Sequence, residues 1–277
     1  MRKLSDLVVL IKGGGEVASG VAHKLHRAHF KVCLTEIPGA LAVSRGTAFS
    51  DAIFDGTKEI EGVTAELVPA VLKDVKKAWR HGHIALVLDP EASIKTVLKP
   101  DVLIDGRMIK KPTDTKITDA PLVIGLGPGF TAGKDVHIIV ETWQGDNLGR
   151  LITRGKAIEN TGEPVFIAGL SKERVVWAPE AGIFNTNFDI GQKVAAGQEV
   201  GRIGKISLVA PMAGILRGLI RDGVKVRRGD KLIEVDPVND SSICFVIRDK
   251  MRTIAGGVLE AIMNKYNVPA GPRTGVN

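Results

Sequence analysis

Short apolar runs recur along the first 160 positions of the chain, at residues 7–11, 32–34, 84–88, 102–104, 122–124 and 136–140. Runs of this length, apolar without alternation, predict strands buried on both faces. Between them lie segments with helical spacing. Residues 17–29 are amphipathic, and Leu67, Val68, Val71, Leu72, Val75 and Trp79 share one helical face. Asp89, Pro90 and Glu91 form a helix-start signal. Strands alternating with helices predict an α/β unit over residues 1–160, with a Rossmann-like, doubly wound parallel sheet.

The join between the first run and the first helix carries the strongest signal. Residues 12–20 read KGGGEVASG, and Gly13, Gly15 and Ala18 fit the G-x-G-x-x-G/A pattern. The first glycine permits a tight turn, the second lets a phosphate approach the backbone, and the small third residue lets helix and strand pack closely. N–H groups at the helix start, at the positive end of the dipole, favour an anion. Glu36 ends the second run, 23 positions after Gly13, where an acid would meet a ribose hydroxyl. The candidate binding residues here are Gly13, Gly14, Gly15, Glu16, Ala18, Ser19, Gly20 and Glu36, with Arg45 in the loop that follows. The other reading of the glycines is a tight turn that binds nothing.

A second glycine-rich loop follows the run at 122–124. Gly127, Gly129 and Thr131 within it are candidates for a second anion contact. If both loops cap neighbouring parallel strands, they should line one cleft. His137 and Glu141 share a strand face, which is too little to assign a general base.

A different pattern begins beyond residue 165. Residues 178–183, APEAGI, match 210–215, APMAGI, and 191–198, GQKVAAGQ, match 223–230, GVKVRRGD. The offset is 32 throughout. A two-fold repeat of short strands and glycine turns predicts a small all-β unit over 165–238, like the barrel-sandwich of biotinyl and lipoyl carriers. Lys205 lies between the halves but lacks a carrier lysine's sequence context. Residues 241–277 are expected to form a strand, a helix with an apolar face along Met251, Ile254, Val258 and Ile262, and a loose tail.

Composition narrows the class. Hydrophobic residues make up 44% of 277 and charged residues 25%, a balance that supports a packed core. No apolar run approaches the ~18 residues of a membrane helix, and the basic-then-apolar start enters the glycine turn, so a cytoplasmic protein is expected. The two cysteines, Cys33 and Cys244, stand far apart in apolar runs, so neither a disulfide framework nor a cysteine metal site is expected. The net charge of +7 suits an anionic small molecule, while 4% aromatic content gives little for stacking nucleic acid.

Four strings together resemble one family: IKGGGEVASGVAHKLHRAHFKV, APLVIGLGPGFTAGKDVH, ETWQGDNLGR and IAGGVLEAI. The chain to about residue 266 is similar to the YqeB-type accessory proteins of selenium-dependent molybdenum hydroxylases, relatives in outline of XdhC maturation factors. It departs from that pattern at Glu16 and at residues 143–146. The resemblance implies a maturation factor whose partner is a molybdenum hydroxylase apoenzyme. Its ligand would be the molybdenum cofactor or a nucleotide such as NAD. A nicotinamide-dependent oxidoreductase, and an unmodified scaffold that docks a partner enzyme, remain as alternatives.

Overall fold

The computed structural model describes residues 3–159, 162, 169–238 and 240–267. Most of the apolar runs become strands of one sheet. Val8–Lys12 (β1), Lys31–Glu36 (β2), Thr57–Ile60 (β3), Val63–Leu67 (β4), Ile84–Leu88 (β5), Val102–Asp105 (β6), Leu122–Leu126 (β7), Ile138–Val140 (β8) and Leu151–Ile152 (β9) stand in the order β3-β4-β5-β2-β1-β6-β7-β8-β9. The strands from β4 to β8 pair in parallel, whereas β3 and β9 run antiparallel at the two edges. In β1, Val9 and Ile11 enter one core while Leu10 enters the other, so the strand has no solvent face.

The helices are Glu16–Arg27 (α1), Ala52–Asp55 (α2), Leu72–Arg80 (α3), Lys95–Leu98 (α4) and Asp249–Tyr266 (α5). Helix α5 comes from the far end of the chain and packs on α1 in the same core as Val9 and Ile11. Gly20 makes this approach possible, since a Cβ there would lie 2.8 Å from Met251 Cβ. The proline-initiated helix begins later than its signal suggests. The Asp89 carboxylate accepts the Ser93 and Ile94 N–H groups and holds a turn ahead of α4.

The repeat region folds as Val175–Trp177 (β10), Gly182–Asn185 (β11), Lys193–Val194 (β12), Glu199–Ile203 (β13), Ile206–Val209 (β14), Gly214–Leu219 (β15), Lys225–Val226 (β16) and Lys231–Asp236 (β17). The 32-residue offset relates β11 to β15, β12 to β16 and β13 to β17. The strands form two small antiparallel sheets, β10-β17-β15-β12 and β14-β13-β11-β16. Phe184, Val200, Leu216 and Ile233 share their core.

The expected fold class, a Rossmann-like parallel sheet followed by a biotinyl/lipoyl-type barrel-sandwich, is corrected by this topology. The large sheet is mixed, because the β3–β4 hairpin closes one edge and the antiparallel β9 the other. The repeat forms two separate four-stranded antiparallel sheets. Hydrophobic alternation reports which face of a strand is buried but not which neighbour it pairs with. The strand expected after residue 241 is likewise a 3-10 turn, Ser241–Cys244.

Candidate functional site

Strand β1 ends at Lys12 and the chain turns sharply. Gly13 has φ +95° and donates its N–H to Thr35 O at 2.8 Å. A side chain there would be strained, and its Cβ would sit 3.2 Å from Arg107 Cα. The Gly14 carbonyl accepts the Ser50 N–H at 2.9 Å and the Ser19 hydroxyl at 2.9 Å. Gly15 is the N-cap of α1 and supplies no side-chain cap. A Cβ on Gly15 would meet nothing within 4 Å. The open space beside it is a cleft of about 510 Å³. Helix α1 thus brings its first turn and the positive end of its dipole to this cleft.

The cleft is lined mainly by apolar residues, among them Val17, Ile37, Leu41, Val43 and Met108, with a few polar groups set between them. Glu36 accepts the Gly14 N–H at 2.8 Å through Oε2 and the Ile37 N–H at 2.8 Å through Oε1. Burial raises its pKa above the ordinary carboxylate value, against the lowering effect of those two donors. Ser50 lines the same cleft and is 1% exposed, yet its hydroxyl has no hydrogen-bond partner among the described residues. A buried hydroxyl left unpaired costs about 1–3 kcal/mol, so a ligand atom there would be favourable.

The loop after β6 forms another wall and is held by charge. Arg107 binds both oxygens of Asp105, at 3.0 and 2.6 Å, and Asp114 at 2.6 Å. Lys12, 1% exposed, reaches Asp114 at 2.7 Å. Burial alone would raise the Asp105 pKa, but Arg107, Thr115 and Lys12 hold it below the usual range. The non-glycine residues Met108 and Lys110 adopt left-handed backbone, with φ 55° and 63°. Such conformations persist where the surroundings enforce them, and they cluster at functional sites.

The repeat unit closes the far side. Glu16 at the start of α1 pairs with Arg217 at 2.7 Å. Arg217 also binds Glu234 at 3.0 Å, and Arg174 binds the same oxygen at 2.5 Å. Burial works against the Glu234 anion, but Lys231, Arg217 and Arg174 bring its pKa down to about 2. Lys231 pairs with Glu234 and lines the cleft. Burial lowers the pKa of Lys110, and the nearby Lys231 charge lowers it further. Lys250 is lowered by burial and then by Lys110. For both lysines burial is the larger cause and a like charge the smaller, and an anion bound nearby would offset each.

Of the residues singled out from sequence, Gly13, Gly15, Glu16 and Glu36 line this cleft, with Gly14 behind them. Ala18, Ser19 and Gly20 serve packing. Ala18 lies under Gly106, where a Cβ would stand 3.0 Å from Ala18 Cβ. The Ser19 hydroxyl links Gly14 O to the Phe49 N–H, and Gly20 meets α5. Arg45 ties the two units together, donating to Leu219 O at 2.9 Å and Asp189 at 2.6 Å. Gly127, Gly129 and Thr131 do not line the cleft, because β6 lies between β1 and β7. A Cβ on Gly129 would lie 2.7 Å from Lys111 O, so that loop buttresses the cleft wall from behind. His137 Nδ1 accepts the Val123 N–H, and buried Glu141 accepts three backbone N–H groups, from Thr142, Trp143 and Ile158. Both are structural in this conformation.

Sequence reasoning missed Ser50, Arg107 and Lys231. Arg107 follows β6, and a residue beyond the carboxyl end of a parallel strand could have been flagged on that ground. No local signal marks Ser50 or Lys231, which arrive from a loop and from the other unit.

No family model matches the chain. It is 41% identical over 256 residues to the uncharacterized protein YqeB of Escherichia coli (strain K12). The match takes in 92% of this chain and 47% of that protein, so the chain spans about half the length of the curated relative it matches. The resemblance to YqeB is therefore supported over most of the chain, whereas the link to XdhC gains no support. Among solved structures, a product-bound ectoine utilization protein EutE (DoeB) of Ruegeria pomeroyi is 12% identical, with 83% of this chain and 85% of that one covered and a TM-score of 0.24. A succinylglutamate desuccinylase/aspartoacylase of Rhodobacter sphaeroides is 16% identical, with 85% and 87% covered and a TM-score of 0.27. Likenesses at such TM-scores carry no argument about this chain's chemistry.

Proposed function

We propose that the protein binds a phosphate-bearing small molecule, the molybdenum cofactor or a nucleotide, in the cleft at the Gly13–Gly15 turn. In this reading it acts as an accessory factor for a molybdenum hydroxylase. The observation that carries the binding part is the unpartnered Ser50 hydroxyl, buried beside a helix start that has no side-chain cap. Phosphate oxygens would accept from the first-turn N–H groups and from Ser50, with Lys231 and Lys110 supplying charge. Charge-assisted bonds of this kind contribute about 1.5–3 kcal/mol each, so a few suffice for micromolar affinity. The accessory role rests on the sequence resemblance.

A nicotinamide-dependent oxidoreductase is the second reading, favoured by Glu36 at the end of β2 beside the glycine turn. Calorimetric titration of the purified chain with molybdenum cofactor, ATP and NAD separates the two. Saturable binding of the cofactor that Gly15→Val abolishes supports the first. Preference for NAD favours the second, and no binding of any of the three removes both.

A further inference from the structure

Glu66, His81 and His83 stand apart from the cleft, on the β4 and β5 side of the sheet. Glu66 Oε2 lies 3.0 Å from His83 Nδ1 and 3.9 Å from His81 Nδ1. One ligand atom from each residue falls within 4.8 Å of the others. Zinc bonded to nitrogen and oxygen at about 2.0–2.2 Å holds tetrahedral ligand atoms roughly 3.3–3.5 Å apart. The two separations bracket that value, the shorter being a hydrogen bond that an ion would replace.

The three residues are fixed by backbone structure. His81 is the C-cap of α3, with its N–H on Lys77 O and Ala78 O. Gly82 then takes φ +76°, and the His83 N–H returns to Ala78 O at 3.0 Å. This tight helix exit turns both imidazoles toward Glu66, their rings edge-to-face with centroids 6.0 Å apart. Glu66 sits on β4, whose parallel pairing with β5 sets it opposite Ala85, two residues beyond His83. Sites held on such elements lose little entropy when an ion enters. The C-terminal end of α3 also carries partial negative charge, which favours a cation.

We infer that Glu66, His81 and His83 form a binding site for a divalent transition-metal ion, with zinc the best-matched ion and a fourth position open to water or a ligand. Two imidazoles and a carboxylate suit zinc, copper and nickel, and poorly suit magnesium or calcium. The sequence spacing hides the site, because the carboxylate lies on β4, 15 positions before the first histidine at the end of α3. The inference does not depend on the reading of the glycine-turn cleft.

The test is a zinc titration of the full, untagged chain against a chromophoric chelator at neutral pH. One equivalent should bind. His81→Ala, His83→Ala and Glu66→Gln should each weaken binding at least tenfold, and His137→Ala should leave it unchanged. Absence of stoichiometric binding, or unchanged affinity in the His81→Ala/His83→Ala double variant, overturns the site. Cobalt(II) added to the wild-type chain provides a measurement independent of the variants' folding. Ring-proton signals of His81 and His83 should broaden first, and broadening that begins at His29 or His137 instead overturns the assignment.

Discussion

Glu36 Oε2 accepts the Gly14 N–H at 2.8 Å, across 22 positions of sequence. The acid that a dinucleotide fingerprint aims at a ribose here also braces the glycine turn. Its other oxygen holds the Ile37 N–H, so both oxygens are engaged before any ligand arrives. The turn is thus pre-organised, and the next N–H groups, at the start of α1, are the ones presented to the cleft.

Gly15→Val should abolish or weaken ligand binding by at least tenfold while leaving the fold intact. The new side chain would project into open space rather than into protein. Gly20→Val provides the contrast. Its side chain would collide with Met251 and should cost about 1–3 kcal/mol of stability through overpacking. Calorimetric binding and thermal melting of the two variants check both outcomes.

Lys231→Gln and Lys110→Gln should each weaken anion binding by roughly tenfold, the equivalent of about 1.4 kcal/mol. Binding measured at several salt concentrations should also fall less steeply in the variants than in the wild type. An unchanged salt dependence would place the anion elsewhere.

Asp105 contributes stability that depends on acid. Its folded-state pKa lies below the ordinary value, chiefly because the Arg107 bonds and charge overcome burial. Its contribution is therefore fully present above the unfolded pKa of about 3.9 and is lost as pH falls through the folded value. Asp105→Asn should destabilise the chain by about 3 kcal/mol at pH 7, because it leaves Arg107 and Lys12 undercompensated. Urea denaturation at pH 7 and pH 3 should show the wild-type and variant curves converging at the lower pH.

Arg217, held by Glu234 within the repeat unit, couples the two units through Glu16. A double-mutant cycle with Glu16→Gln and Arg217→Met should return a coupling of roughly 1–2 kcal/mol, because the pair is only partly exposed. Arg217→Met alone should cost more, since Glu234 stays buried with one fewer cation. A coupling near zero would mean that Glu16 and Arg217 act independently.

Much of the local structure was legible in the sequence. The apolar runs at residues 7–11, 84–88 and 122–124 became largely buried strands, because a strand covered on both faces is apolar along nearly its whole length. The 32-residue repeat pointed to short strands separated by glycine turns, and the region folds as short antiparallel strands. Gly13 and Gly15 were legible for a local reason too, as the turn needs φ +95° at one and open backbone at the other.

What the sequence determined by itself was short-range: where most strands of the parallel part of the sheet and the helices α1 and α5 lie, which of their positions are buried, and where an α1 start could receive an anion. The tertiary structure decided the rest. It chose the antiparallel edges that make the large sheet mixed, and it inserted β6 between the strands that end in the two glycine loops. It turned Arg45 from a ligand contact into a tie between units. It also brought Ser50, Arg107 and Lys231 to one cleft, and set one ligand atom each of Glu66, His81 and His83 within 4.8 Å of the others. The physical reason is the same in each case. Periodicity records the burial of each residue, which is a property of one segment, whereas strand neighbours and convergent side chains depend on how distant segments satisfy one another's hydrogen bonds and charges.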